Sequence, residues 1–174
     1  MRRTISTPLG ADRLTVHDVV ANRSDRTQPH MVRYHCNLGW PLRGPEAVVR
    51  SPSSTVTPAY TEALEAGTPW NSLAQPRADA RNLVFLHALP EAERAVVTAE
   101  NYMTGVRLEI AFDTGTLPWM HSWKVLRHQQ YVLGIEPANC PTMTGRARAE
   151  EDGTLPVLEP GEKKSYTIDV RFRV

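Results

Sequence analysis

No run of this chain is apolar over the length of a membrane span, and Met1-Arg-Arg-Thr4 lacks the apolar segment of a secretory signal. The expected compartment is the cytoplasm, with no membrane partner. Charge of neither sign is in excess. A formal net charge of +1, with no basic run interleaved with aromatics, removes the electrostatic case for a nucleic-acid partner. Cysteine is scarce: Cys36 and Cys140 are the only 2 in 174 residues and show no metal-type spacing, so both read as reduced thiols. The 6 histidines, His17, His30, His35, His87, His121 and His128, form no His-x-His pair, and no metal or other cofactor is expected. A Gly-x-Ser-x-Gly elbow and a glycine-rich phosphate loop are both missing, which argues against a serine hydrolase and a phosphate binder. Internal repeats and sustained helical periodicity are missing too.

What is present is ordinary globular composition: 41% hydrophobic and 22% charged residues, enough for one domain over 1–174 with a sizeable core. The 14 prolines and 10 glycines are scattered between short apolar runs, a pattern of many turns and many strands. Residues 2–6 and 14–21 read as an opening hairpin. Residues 30–37 read as a strand with Val32, Tyr34 and Cys36 on one face and Met31, Arg33 and His35 on the other. Short pieces follow at 47–50 and 54–57, then one or two helical turns at 60–66 within a loop that runs to residue 80. Residues 82–89 and 94–101, separated by Pro90-Glu-Ala-Glu93, are dense in β-formers and are expected to pair with each other.

The alternation is cleanest at 104–112, where Val106, Leu108, Ile110 and Phe112 share a face, and at 166–174, where Tyr166, Ile168, Val170, Phe172 and Val174 do. Residues 119–127 carry polar groups on both faces, as a binding surface can, and 142–156 read as loop. The fold class that results is all-β, an antiparallel β-sandwich of two sheets, with a barrel as the alternative.

One carboxylate stands out. In Tyr131-Val-Leu-Gly-Ile-Glu-Pro-Ala-Asn-Cys140, Glu136 follows an apolar strand, and Pro137 is expected to end its pairing. Glu136 shares a face with Gly134 and Val132, while Tyr131, Leu133 and Ile135 point into the core, so Gly134 leaves room beside the acid. The alternative is a strand-end glutamate in a surface ion pair. His35 lies on the polar side of its own strand. Its neighbour Cys36 points the other way, which argues against a Cys–His thiol pair and leaves His35 and Glu136 as candidates for general acid and base. A structural, hydrogen-bonded histidine is the competing reading of His35.

Asp18-Val-Val-Ala-Asn22, Tyr34-His-Cys-Asn-Leu-Gly-Trp-Pro-Leu42, Trp123-Lys-Val-Leu126, Tyr131-Val-Leu-Gly-Ile-Glu-Pro-Ala-Asn139 and Leu158-Glu-Pro-Gly-Glu162 occur in a familiar order. That order resembles the bacterial aldose 1-epimerase-like proteins of the galactose mutarotase superfamily, in a branch of unassigned function. The resemblance covers nearly the whole chain. It implies a β-sandwich of the supersandwich type with an open, polar face for a small-molecule sugar. It also implies His35 as general acid and Glu136 as general base. Asn37, Lys124 and Asn139 are plausible hydroxyl ligands, and Trp40, Trp119 or Trp123 could stack on the sugar ring.

Mutarotation needs a proton taken from the anomeric hydroxyl and another given to the ring oxygen, then the reverse on the other face of the aldehyde. The resemblance also implies that this chain matches the C-terminal portion of the pattern and lacks N-terminal strands. A second histidine of the family would then need a substitute, and spacing singles out none of His17, His30, His87, His121 and His128. Uncovered sheet edges lead to the expectation of a homo-oligomer. The alternative function is a non-catalytic carbohydrate-binding or structural dimeric β-sandwich module.

Overall fold

The computed structural model describes residues 1–91 and 94–174. In chain order the elements are β1 (Arg2–Ser6), β2 (Arg13–Ala21), β3 (Gln28–Pro29), β4 (Cys36–Leu38), β5 (Ala47–Arg50), β6 (Thr55–Pro58) and α1 (Thr61–Glu65). They continue with β7 (Asn82–Ala88), β8 (Ala95–Asn101), β9 (Arg107–Phe112), β10 (Trp119–Leu126), β11 (Tyr131–Ala138), α2 (Arg146–Glu151), β12 (Val157–Leu158) and β13 (Lys163–Arg173). A 6-stranded sheet runs β1-β2-β13-β9-β8-β5, a 5-stranded sheet runs β4-β11-β10-β7-β6, and β12 pairs with β3. The pairings are antiparallel. No helix among the described residues is long and apolar enough to cross a membrane.

The inward-facing positions of the strands build the core between the two large sheets. Leu108, Ile110 and Phe112 of β9, Val97 of β8, and Tyr166 and Ile168 of β13 meet Leu133 and Ile135 of β11 and Met120 and Leu126 of β10. Each side chain of this size stabilises the fold by about 1.5–3 kcal/mol when fully buried. The opening hairpin forms as expected, with Arg2 opposite Val19 and Ser6 opposite Thr15.

The structure corrects four local expectations. First, β7 and β8 do not pair with each other: β7 joins β10 and β6 in one sheet, and β8 joins β9 and β5 in the other. The separator expected between them includes residues 92 and 93, which lie outside the described residues. Second, the strand expected at 30–37 shortens to Cys36–Leu38. Asn139, more than a hundred residues on, intervenes: its Oδ1 accepts from the Val32 N–H at 2.8 Å and its Nδ2 donates to the His30 carbonyl at 2.7 Å, which leaves only an isolated bridge between Arg33 and Ala138 before Cys36. Third, Pro137 does not end its strand. It pairs with Met120 inside β11, and its carbonyl accepts the Tyr34 N–H at 2.9 Å. Fourth, 142–156 contains α2, which is too short to register as periodicity; it buries Ala149 and is braced by Arg148 Nε to Asp152 Oδ2 at 2.9 Å.

Candidate functional site

The register of the 5-stranded sheet decides which side chains share a face. Glu136 on β11 lies directly opposite His121 on β10, Gly134 lies opposite Trp123, and on the other side Gly134 lies opposite Asn37 on β4. Directly opposed residues of an antiparallel pair point to the same face with Cβ atoms about 4.5–5.5 Å apart. Trp119, His121, Trp123, Gly134 and Glu136 therefore form one surface, while Met120, Lys124, Leu126, Leu133 and Ile135 form the other.

Segment 33–35 folds over this surface. Tyr34 turns inward, where its hydroxyl donates to Asp18 Oδ2 at 2.7 Å, and Asp18 also takes Nε and Nη2 of Arg3 at 2.8 and 2.7 Å. With Tyr34 anchored, the residues on either side of it face Glu136. His35 Nε2 stands 2.9 Å from Glu136 Oε1, and Arg33 Nε stands 3.4 Å from Oε2. The Glu136 side chain is 1% exposed, against 35% for Arg33 and 42% for His35. The carboxylate is thus a floor roofed by a guanidinium and an imidazole, and among the described residues neither oxygen has an aligned hydrogen-bond donor. Burial pushes its pKa up, and the nearby His35 and Arg33 hold it partly down. A raised carboxylate pKa is what a general base needs.

The glycine is required here. A Cβ on Gly134 would stand 2.9 Å from Glu136 Oε1, 3.3 Å from Trp123 Cε3 and 3.4 Å from His35 Cε1. The space that the sequence suggested for a ligand is filled by these three groups. His35 meets the Trp123 ring edge-on, with centroids 5.4 Å apart at 76°.

The structure therefore brings His35, Glu136 and Trp123 together on one face. His35 and Glu136 touch side by side, so a sugar ring does not fit between them. Asn37 is exposed on the same side as Gly134, at the rim of a separate apolar cleft of ≈ 290 Å³ that also takes Trp40, Leu42, Val106 and Phe172. Trp119 is half-buried at the far end of β10.

Two assignments are corrected. Lys124 is wholly buried on the opposite face, where its ammonium donates to the carbonyls of Pro69 and Ser72, the latter at 2.7 Å, and stands 5.4 Å from the Phe85 ring centre. It cannot act as a hydroxyl ligand on the Glu136 face. Asn139 spends its side-chain amide on the backbone of His30 and Val32, so it positions the segment that leads to His35 rather than meeting a sugar. Two residues of the site were missed. Arg33 stands two positions before His35 and His121 two before Trp123, and period-2 counting from those neighbours was the available signal. Among the described residues no group of His, Cys, Asp and Glu gathers as a metal cluster.

Comparison with known proteins places this architecture. No curated protein matches the chain. Among solved structures it is similar to a protein from Klebsiella pneumoniae provisionally designated an aldose 1-epimerase, with a TM-score of 0.85 and 24% identity over 94% of this chain and 43% of that one. It is also similar to a galactose mutarotase related enzyme from Lactobacillus acidophilus, with a TM-score of 0.67 and 15% identity over 94% and 58% of the two chains. A galactose mutarotase-like protein from Lactobacillus casei gives a TM-score of 0.62 and 16% identity over 98% and 62%. The chain thus spans about half the length of these structures, from 43% to 62%. The fold is the antiparallel β-sandwich of the galactose mutarotase-like proteins. The family model that matches covers residues 1–172, nearly the whole sheet system and all of the Glu136 face, and the chain belongs to that family, Domain of unknown function (DUF4432).

Proposed function

We propose that the Glu136 face binds a reducing sugar and interconverts its anomers by general acid–base catalysis, with Glu136 as base and His35 as acid. The observation that carries the reading is the 2.9 Å approach of His35 Nε2 to Glu136 Oε1 beside the Trp123 ring. Both oxygens that exchange protons in mutarotation, the anomeric hydroxyl and the ring oxygen, are bonded to the same carbon. An acid and a base at hydrogen-bond spacing can therefore meet both at once. Glu136 takes the proton of the C1 hydroxyl, the C1 carbonyl forms as the bond to the ring oxygen breaks, and a proton on His35 Nε2 passes to that oxygen. Rotation about the bond to C2 and the reverse transfers close the other anomer. The Trp123 ring offers the apolar platform and Asn37 an exposed amide for a hydroxyl. The relatives' designations as an aldose 1-epimerase and as galactose mutarotase-like support the same class.

The expected result for Glu136→Gln is a fall of about a hundredfold or more in the catalysed rate with the fold retained, and a comparable fall for His35→Ala. Polarimetry on freshly dissolved α-D-glucose and α-D-galactose reads it. If both variants match the parent rate, the assignment of acid and base is wrong. One observation favours the second reading, a non-catalytic carbohydrate-binding or structural module. Glu136 is 1% exposed beneath Arg33 and His35, so a sugar can rest on Trp123 without reaching the carboxylate. Sugar binding without anomer exchange is the outcome that selects it.

The proposal also includes self-association. β1 is the outermost strand of its sheet, all of its residues are exposed, and Ile5 is 60% exposed, so its free edge can pair with β1 of a second copy. Light scattering over a concentration series is expected to approach twice the mass of one chain. A constant monomer mass would overturn this part alone.

A further inference from the structure

His121 is wholly buried, yet it carries a polar atom that no described residue uses. Its Nε2 stands 2.9 Å from the Pro141 carbonyl, an arrangement that requires the proton to be on Nε2. Nδ1 is then an unprotonated acceptor. It is buried and has no partner among the described residues. The residue directly across the strand pair is Glu136, whose two carboxylate oxygens are also buried without an aligned donor. Two acceptor side chains thus face the same side of neighbouring strands: Glu136 has His35 and Arg33 as ion-pair partners, and His121 Nδ1 has no donor among the described residues.

We infer that His121 belongs to the ligand-binding floor, where Nδ1 accepts a hydrogen bond from a hydroxyl seated between it and Glu136. The inference rests on the sugar-binding reading of this face and deepens it. A buried acceptor without a donor costs about 1–3 kcal/mol, and a ligand hydroxyl that donates to Nδ1 removes that cost at His121. The class of ligand follows from what the floor offers. The acceptors are a neutral imidazole nitrogen and a carboxylate, so a polyhydroxylated, uncharged group fits, and an anion at that spot would meet the carboxylate.

Arg33 and His35, whose side chains are the exposed part of the roof, stand between this floor and solvent. His121 is distinct from the other buried imidazole of the sheet. His87 points to the opposite face and has both nitrogens within reach of hydroxyls, Nδ1 with Ser53 at 3.0 Å and Nε2 with Ser122 at 2.9 Å. Burial as such therefore does not leave a histidine of this fold without partners.

The test uses the whole chain labelled with ¹⁵N, titrated with D-glucose and with D-galactose. Two signals are followed: the Trp123 indole N–H, which reports that sugar has entered the face, and His121 Nδ1, which reports a new hydrogen bond. Movement of both signals with one midpoint is the expected result. If Trp123 moves and His121 Nδ1 does not, the inference is overturned while the sugar reading stands. If neither moves with either sugar, the sugar reading fails and the inference falls with it.

Two variants separate a ligand contact from a structural role. The Gln amide of His121→Gln can replace Nε2 on the Pro141 carbonyl but leaves no acceptor at Nδ1. In His121→Asn the amide oxygen lies near the Nδ1 position, but the Pro141 bond is lost. Sugar affinity read at Trp123 is expected to fall about tenfold in His121→Gln, the equivalent of one lost hydrogen bond, and to change little in His121→Asn. Equal loss in both, or loss only in His121→Asn, would assign His121 to the scaffold.

Discussion

Between pH 6.5 and about 4 the folded protein is expected to lose about 3 kcal/mol of stability for each of His87 and His121. Both imidazoles are wholly buried in adjacent strands, β7 and β10, and burial is the main cause that pushes each pKa from 6.5 down to about 4. The closeness of His121 lowers His87 further, and Arg33 lowers His121 further, while the Pro141 carbonyl opposes. Unfolded, the same groups take protons near 6.5. In the interval the unfolded chain binds more protons than the folded one, so stability falls as the pH falls.

Glu136 acts in the opposite sense: its raised pKa lets the folded state take a proton first, which adds stability as the pH falls through that value. Asp18 is held below its ordinary 3.8, chiefly by Arg3, so its contribution is lost only below this window. Urea titrations at pH 7.5, 6, 5 and 4.5 on the parent and on His87→Gln and His121→Gln isolate the histidine terms. Each variant is expected to be flatter with pH than the parent. A parent whose His87 or His121 ring protons titrate near pH 6.5 in the folded state would refute the expectation.

The second large effect is at Lys124. Its four-carbon stem lies in the core face of β10, and its ammonium holds the carbonyls of Pro69 and Ser72, tying the loop after α1 to the sheet. Lys124→Ala leaves a cavity and removes the donor to the Pro69 and Ser72 carbonyls, and is expected to cost about 3–5 kcal/mol. Lys124→Met keeps the volume and also removes the cost of burying a charge, so it should cost markedly less. The pH dependence distinguishes the two contributions. Burial lowers the Lys124 pKa from 10.5 to about 8, so between these values the unfolded chain binds the extra proton and stability rises with pH. A neutral amine still has two N–H bonds for the two carbonyls. The parent is therefore expected to gain stability from pH 8 to 10, and Lys124→Met is expected to lose that gain. Equal slopes would mean that Lys124 stays charged in the fold.

The strands that carry one buried face were legible before any coordinates. β9 and β13 place Leu108, Ile110, Phe112, Tyr166 and Ile168 in the core because alternation along a strand is a local property that the chain cannot hide. The same counting put His35 and Glu136 on the less apolar faces of their segments. Segment 30–35 was harder. Its alternation of faces is real, with Tyr34 buried and Arg33 and His35 exposed, but its backbone bonds are taken by Asn139, more than a hundred residues away. No local pattern encodes that. The pairing of β7 and β8 failed for a related reason: both runs suit a sheet equally well, and only packing decides which sheet each joins.

By itself the sequence determined an all-β chain, a core built from period-2 faces, and two candidate groups for proton transfer, because side-chain direction in a strand follows from residue parity alone. Strand order and register were left to the tertiary structure, since these depend on contacts between residues far apart in the chain. Register set His121 opposite Glu136, turned Lys124 into the core, and laid Arg33 and His35 over the buried carboxylate. Parity says which side a residue faces, and only register says what it meets there.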